Sequence, residues 1–305
     1  MRQFAVVALL AALSAMACDA PAPPPSPRVI RMAMHPLQSG RVGVALTQAI
    51  AAAIPDTTLE IQEFERGKDL VAAVQAGESD FAFTYADMTY LAFVGQLGDP
   101  PFDRLRGIAV LNTNPIYLIV GAGSAIRDVG DLRGRRVSLG LEGSVTAVTS
   151  QIFLTGLHTE VHRSFEPFGD AVTSLGDGGV DAIFAVGSYP LEPLRKAVSA
   201  GARVVSLPEG TVDRIRREHP FLRTVVIPAG MYGDQAVLTV GTDRLLICRE
   251  GLDADLVYQF TKAFFQALPQ LSLLDTPLQR MNVEEASATP VPLHPGAAQY
   301  YRDQE

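Results

Sequence analysis

Two distant segments share one grammar, and that grammar restricts the fold more than anything else in the chain. Leu70-Val-Ala-Ala-Val-Gln-Ala-Gly-Glu-Ser-Asp-Phe-Ala-Phe reads as a helix, a Gly-x-x-Asp turn and a strand. Ala171-Val-Thr-Ser-Leu-Gly-Asp-Gly-Gly-Val-Asp-Ala-Ile-Phe reads the same way. Gly77 and Gly178 are placed to end their helices in left-handed geometry, and Asp80 and Asp181 to precede buried strands. The first copy sits in a longer alternation. Val29 to Met34, Leu59 to Phe64 and Phe81 to Thr84 carry strand patterns, with helical stretches at Gly40 to Ala53 and Asp69 to Ala76. Tyr85-Ala86-Asp87 opens a further helix. Strands alternating with helices at this spacing predict an α/β fold with parallel sheets covered by helices. Two such halves predict two lobes, and ligands of such sheets bind beyond the carboxyl ends of the strands.

The loop best suited to a ligand lies in Arg136-Val-Ser-Leu-Gly-Leu-Glu-Gly-Ser-Val-Thr-Ala-Val-Thr-Ser-Gln-Ile-Phe-Leu. It reads strand, tight loop, helix. Gly143 allows a close approach of backbone to ligand. Ser144 or Thr146 can cap the helix, and the N–H groups left free suit an anion such as a carboxylate. The loop at Gln38-Ser39-Gly40 is a fainter copy. Further along, Leu105 to Leu111 and Ile116 to Val120 read as two strands near the crossing between lobes. Val237 to Cys248 reads as the return, and Asp253 to Leu268 as an amphipathic helix.

The N-terminus is read as targeting signal rather than fold. Arg2 and the apolar run Phe4 to Leu13, too short to span a membrane, precede Ala15-Met16-Ala17-Cys18. Small residues before a cysteine resemble a bacterial lipobox, whose processing acylates Cys18. A plain signal peptide cut near Ala17 or Ala20 is the alternative. Asp19 resembles the signal that retains some lipoproteins at the inner membrane. Ala20 to Pro27 would be a stiff tether. This predicts residues 1–18 as a lipoprotein signal peptide, 19–28 as a Pro-rich tether, and a mature chain on the periplasmic side of the inner membrane, anchored to the lipid bilayer through Cys18. The net charge of −8 argues against a nucleic-acid surface, and only two cysteines argue against a disulfide framework or a multi-cysteine metal site. His158 and His162 flank Glu160, but in the wrong order for a hydrolase metal helix. No nucleophile elbow, P-loop or dinucleotide fingerprint occurs, so neither an enzyme nor a cofactor is expected.

Five segments together resemble one family. They are Asp131-Leu-Arg-Gly-Arg-Arg-Val-Ser-Leu-Gly, Gly143-Ser-Val-Thr, Gly178-Gly-Val-Asp-Ala-Ile-Phe, Ile227-Pro-Ala-Gly-Met-Tyr and Pro292-Leu-His-Pro-Gly-Ala-Ala-Gln-Tyr-Tyr. In that order they resemble the TAXI solute receptors (TRAP-associated extracytoplasmic immunogenic proteins). The resemblance implies a type II-like, two-lobed periplasmic binding protein with its ligand cleft between the lobes, closing on a small organic anion. It also implies delivery to the membrane subunits of a TRAP transporter, with glutamate-like carboxylates the leading ligands. Residues 29–120 with 237–305 would form lobe one and 121–236 lobe two. The chain departs from the family in the lobe-one loops, at Leu37-Gln38-Ser39-Gly40-Arg41, Glu63-Phe64-Glu65-Arg66 and Tyr85-Ala86-Asp87. A changed or lost ligand, with a sensing or protein-interaction role on the same fold, is therefore the alternative.

Each candidate ligand-binding residue has a plain structural reading beside the functional one. Ser144 and Thr146 match the Gly-Ser-x-Thr loop, or simply cap it. Arg66 can read a carboxylate bidentately, or pair with Glu63 or Glu65 at the surface. Tyr85 can wall the cleft or pack in its loop. Gln38 and Ser39 can donate to ligand or cap. Tyr189, before Pro190, can face the cleft, with Tyr232 a weaker candidate. Asp87 suits its helix N-terminus better than an anion, and Cys248 reads as inert packing.

Overall fold

The computed structural model describes residues 28–97 and 100–305. The signal segment, Cys18 and most of the tether lie outside the described residues. Strands and helices alternate as the sequence pattern requires. The first run is β1 (Arg28–Met34), α1 (Pro36–Gln38), α2 (Val44–Ala53), β2 (Thr57–Glu63), α3 (Gly67–Ala76), β3 (Phe81–Tyr85) and α4 (Ala86–Phe93). The long strand β4 (Leu105–Gly121) leads out of it. The second run is β5 (Arg136–Ser138), α5 (Val145–Gly156), β6 (His162–Ser164), α6 (Phe168–Gly176), β7 (Ala182–Val186) and α7 (Glu192–Ser199). It continues through β8 (Ala202–Val204), α8 (Glu209–Glu218) and β9 (Leu222–Ile227). The chain returns along β10 (Val237–Arg249) and ends in α9 (Ala254–Leu274) and α10 (Pro295–Arg302).

Both runs make the same parallel unit. β1 pairs with β2 and β3, and β5 with β6 and β7. The repeated Gly-x-x-Asp turn explains the match. Gly77 and Gly178 both have positive φ, 78° and 72°. The Asp80 carboxylate accepts the N–H of Arg31 at 3.0 Å, while its own N–H donates to the Arg31 carbonyl at 2.8 Å. Asp181 does the same to Arg136, at 2.8 Å in both directions. Each aspartate thus clamps the start of its strand to the centre of its sheet. The Arg136 guanidinium also holds the Asp181 carboxyl below the usual carboxylate range.

Two antiparallel strands join the lobes. In chain-to-chain order the sheet runs β2-β1-β3-β10-β4-β7-β5-β6, with β8 on β4 and β9 on β10. β4 pairs with β10 from Leu105 to Pro115, then with β7 and β8 from Ile116 to Gly121. The sequence suggested two strands here, because Asn112-Thr113-Asn114-Pro115 has the composition of a turn. The structure has one continuous strand. Asn112 and Asn114 are buried, and the Asn112 amide N–H groups donate to Asn114 Oδ1 and the Ser188 hydroxyl, which in turn bonds Asn114 Oδ1, while Asn112 Oδ1 has no partner within the protein. The change of sheet partner falls inside β4.

Each lobe has its own core. Around β1 and β3 lie Met32, Leu46, Phe81, Phe83, Phe260 and Phe264, with the Phe81 and Phe260 rings stacked at 3.9 Å. Around β5 and β7 lie Val137, Leu139, Phe153 and Phe184. α9 runs past Pro269, where the sequence pattern stopped it, because Leu271 is still buried in the first core. Ser39–Gly43 forms a π-helical turn leading into α2, so Gly40 to Gly43 is not its first α-turn. Among the described residues no helix is long and apolar enough to cross a membrane.

Candidate ligand cleft

A cavity of about 400 Å³ opens where loops of the two runs meet, within the size range of ligand sites. One wall is the loop between β5 and α5. Gly140 has φ +79°, and a Cβ placed there would come within 2.9 Å of Thr146 Cβ. That close turn sets Ser144 and Thr146 against Gly140, and Ser138, Ser144 and Thr146 all line the cavity. Ser138 ends β5, is fully buried, lines the cavity, and its hydroxyl has no partner within the protein. The Ser144 oxygen caps α5 by accepting the Ala147 N–H at 3.2 Å. The Thr146 oxygen accepts the Val186 N–H at 3.2 Å. Both oxygens are acceptors in these bonds, so both hydroxyl protons are left to donate. The first N–H groups of α5 point the same way, with the positive end of the helix dipole behind them.

The opposite wall comes from lobe one. Gly67 opens α3, and its Cβ position lies 3.7 Å from the Val145 nitrogen. The two helix N-termini therefore lie in contact at one edge of the cleft. Side chains of Arg66 and Lys68 pass within 3.4–3.6 Å of where a Cβ on Gly143 would be. His35, Leu37, Gln38, Glu65 and Tyr85 complete this side. The His35 Nδ1 accepts the Leu37 N–H at 3.2 Å, which places the ring proton on Nε2. Burial lowers the His35 pKa against the opposing pull of Glu65 and Glu63, so the ring is neutral at pH 7. Burial likewise raises the Tyr85 pKa, although nearby Arg244 opposes it. The second lobe adds Glu166, Phe168 and Leu191.

Of the residues the sequence singled out, Gln38, Tyr85, Ser144 and Thr146 line this cavity. Ser39, Arg66 and Tyr189 do not. The Ser39 hydroxyl points to the Pro36 carbonyl and the Glu63 carboxylate, on the far side of the turn. Arg66 donates from Nε to Asp69 Oδ2 at 2.7 Å, one helical turn on, and stays half-exposed. The Tyr189 ring is covered by the Arg280 guanidinium at 4.2 Å and packs against a core of Tyr117, Leu194 and Tyr232. Tyr232 holds the wall indirectly: its hydroxyl accepts the Leu191 N–H at 2.6 Å. Sequence reasoning missed Ser138, His35, Glu65 and Glu166. Ser138 had a signal, since it lies at the carboxyl end of a strand that leads into the anion loop.

The profile of the NMT1-like family matches residues 41–304. The chain belongs to the NMT1-like family. The motifs that resemble the TAXI receptors lie inside the matched span. Solved structures of low identity share the fold of this NMT1-like protein. XAC2383 from Xanthomonas citri, bound to chloride ion, superposes with TM-score 0.55 at 9% identity, covering 90% of this chain and 95% of that one. A structure concerning glutathione import via GshT and the cystine ABC importer TcyBC of Streptococcus mutans gives 0.53 at 12%, covering 85% and 98%. The arginine-, lysine-, histidine-binding protein ArtJ from Geobacillus stearothermophilus gives 0.52 at 14%, covering 85% and 98%. The shared fold is the two-lobed α/β fold of periplasmic solute-binding proteins.

Proposed function

We propose that this NMT1-like protein is an extracytoplasmic solute receptor that captures a small organic acid by its carboxylate and delivers it to a membrane transporter. One observation carries the reading. The buried, unpartnered Ser138 hydroxyl lines one cavity together with Ser144 and Thr146, whose oxygens only accept within the protein, beside the N-terminus of α5. Hydroxyl donors beside a helix N-terminus suit a carboxylate. The cleft lies between lobes joined by two strands, so hinge closure would enclose the solute. Resemblance to TAXI receptors favours TRAP membrane subunits as the partner and a glutamate-like acid as the solute. The GshT neighbour, which works with an ABC importer by its title, favours the other transporter class. Anchoring through an acylated Cys18 belongs to the same proposal.

A thermal-shift screen of the purified protein tests it. Amino acids, monocarboxylates, dicarboxylates and neutral amides of matched shape are compared. A carboxylate at a hundredfold excess over its Kd stabilises by about 2.7 kcal/mol. The shift is expected to vanish in the Ser138→Ala/Thr146→Val double variant, which leaves the Ser144 cap in place. A shift given equally by the amides, or kept in the double variant, would overturn the carboxylate cradle.

A further inference from the structure

The cradle accounts for one carboxylate, and the rest of the cavity restricts what that carboxylate can be attached to. No lysine or arginine lines the cavity among the described residues. Arg66 and Lys68 lie over Gly143 outside the lining, with Arg66 held by Asp69, and Arg244, beside Tyr85, is held by Asp275. His35 is neutral for the reason given above. Two carboxylates do line it: Glu65 from lobe one and Glu166 from lobe two. Glu166 accepts the Ser164 hydroxyl on Oε1 at 2.8 Å, which leaves its second oxygen for a donor on the ligand. A second carboxylate on the ligand would meet these two acids with no cation to offset them. An ammonium group would meet two acceptors of opposite charge.

Apart from His35, Gln38 and Tyr85, the remaining side chains of the lining are apolar. Leu70, Phe168 and Leu191 line the cavity. Leu37 and Leu141, one from each lobe, also line it and are 90% and 52% exposed. Exposed leucines on facing loops of one cleft gain burial when an apolar body lies between them.

Resting on the receptor reading and replacing its glutamate-like solute, we propose that the ligand is a zwitterion with an apolar body, an α-amino acid of the leucine or phenylalanine kind. Its carboxylate sits on Ser138, Ser144, Thr146 and the α5 N-terminus. Its ammonium group faces Glu65 and Glu166. Its side chain lies against Leu70, Phe168 and the two leucines of the mouth. Glu65 and Glu166 are then specificity residues that accept an amine and reject a dicarboxylic acid.

Isothermal titration of the purified full chain tests this with six probes: L-leucine, L-phenylalanine, their deaminated analogues 4-methylpentanoate and 3-phenylpropanoate, L-glutamate and glutarate. One of the two apolar amino acids is expected to bind at least about tenfold more tightly than its deaminated analogue, the size of one charge-assisted contact. Glutamate and glutarate are expected to bind more weakly than either apolar amino acid. In the Glu65→Gln/Glu166→Gln variant the gap between amino acid and deaminated acid should close. The wild-type comparison needs no variant, so the test survives if that variant misfolds. Deaminated acids binding as tightly as amino acids, or glutarate or glutamate binding best, would overturn this inference and leave the carboxylate cradle standing. No binding by any of the six would overturn it as well. Only a silent thermal-shift screen in addition would remove the receptor reading.

Discussion

Replacing Asp87 with asparagine is expected to leave the protein as stable as wild type in mild acid and more stable than wild type as the pH rises. The reason is a proton count. Asp87 is fully buried between α4, α5 and β10. Its Oδ1 accepts the Met88 N–H at 2.8 Å and the Thr242 hydroxyl at 3.0 Å. Its Oδ2 makes a short hydrogen bond with the Thr149 hydroxyl, which also lies 2.8 Å from the Val145 carbonyl one turn back. A threonine has one hydroxyl proton. If that proton goes to the Val145 carbonyl, only a protonated Oδ2 can fill the bond to Thr149. Burial raises the Asp87 pKa, and the hydrogen bonds from Thr149, Met88 and Thr242 oppose it only in part. Burial thus favours the protonated form of Asp87, and an asparagine amide can donate from the same place. Because the folded pKa is raised, the folded state holds more protons than the unfolded one above the ordinary carboxylate value. The stability this group contributes is complete below that value and is lost as pH rises through the raised one. Thermal melts across pH should show the difference between Asp87→Asn and wild type growing with pH. Asp87→Ala should fall by about 3 kcal/mol in mild acid, since it orphans the Met88 amide and two hydroxyls and leaves a cavity. If Asp87→Asn were as damaged as Asp87→Ala in mild acid, the carboxyl would be ionised and the proton count wrong. Thr149 belongs to α5 and Asp87 to α4, so this bond also ties the two lobes together beside the cleft.

Gly296→Ala is expected to cost about 3 kcal/mol or more, although the substitution lies in a helix where alanine is normally worth about 1 kcal/mol. The sign reverses because α10 crosses α9 backbone against backbone. A Cβ at Gly296 would stand 2.1 Å from the Ala254 carbonyl oxygen and 2.8 Å from the Tyr258 nitrogen. Both atoms belong to the first turns of a long helix and cannot swing aside as a side-chain tip could. Moving α10 away would loosen the Tyr301 hydroxyl from the Ile108 carbonyl, a 2.8 Å bond, and the stack of Tyr300 on Phe265. A fall in Tm of at least about 6 °C follows for a chain of this size. A neutral or stabilised Gly296→Ala would mean that the helices are not in this contact.

The alternation of strand and helix was legible because it depends on local patterns: the Gly-x-x-Asp turns at Asp80 and Asp181 work as their spacing implied. The anion loop was legible for the same reason, since Ser144 and Thr146 sit on the helix they open. What local pattern could not supply was the direction of a side chain. Ser39 and Ser144 look alike in sequence, yet Ser39 turns to Glu63, a partner brought in by the neighbouring strand β2. Arg66 had three acids within reach along the chain, Glu63, Glu65 and Asp69, and helix geometry chose Asp69. Tyr189 was drawn from the cleft by Arg280, which lies far along the chain. Ser138 was hidden because a serine inside a short strand carries no motif until the cavity around it is seen. The acids Glu65 and Glu166 come from different lobes, and only the folded chain brings them to one cavity.

The most direct measurement is a crystal structure of the protein grown with whichever acid stabilises it most. The account predicts a carboxylate within about 3.2 Å of the Ser138, Ser144 and Thr146 hydroxyls and of the first N–H groups of α5. A ligand bound elsewhere, or one that sits in this cleft with its carboxylate turned away from Ser138, would contradict it.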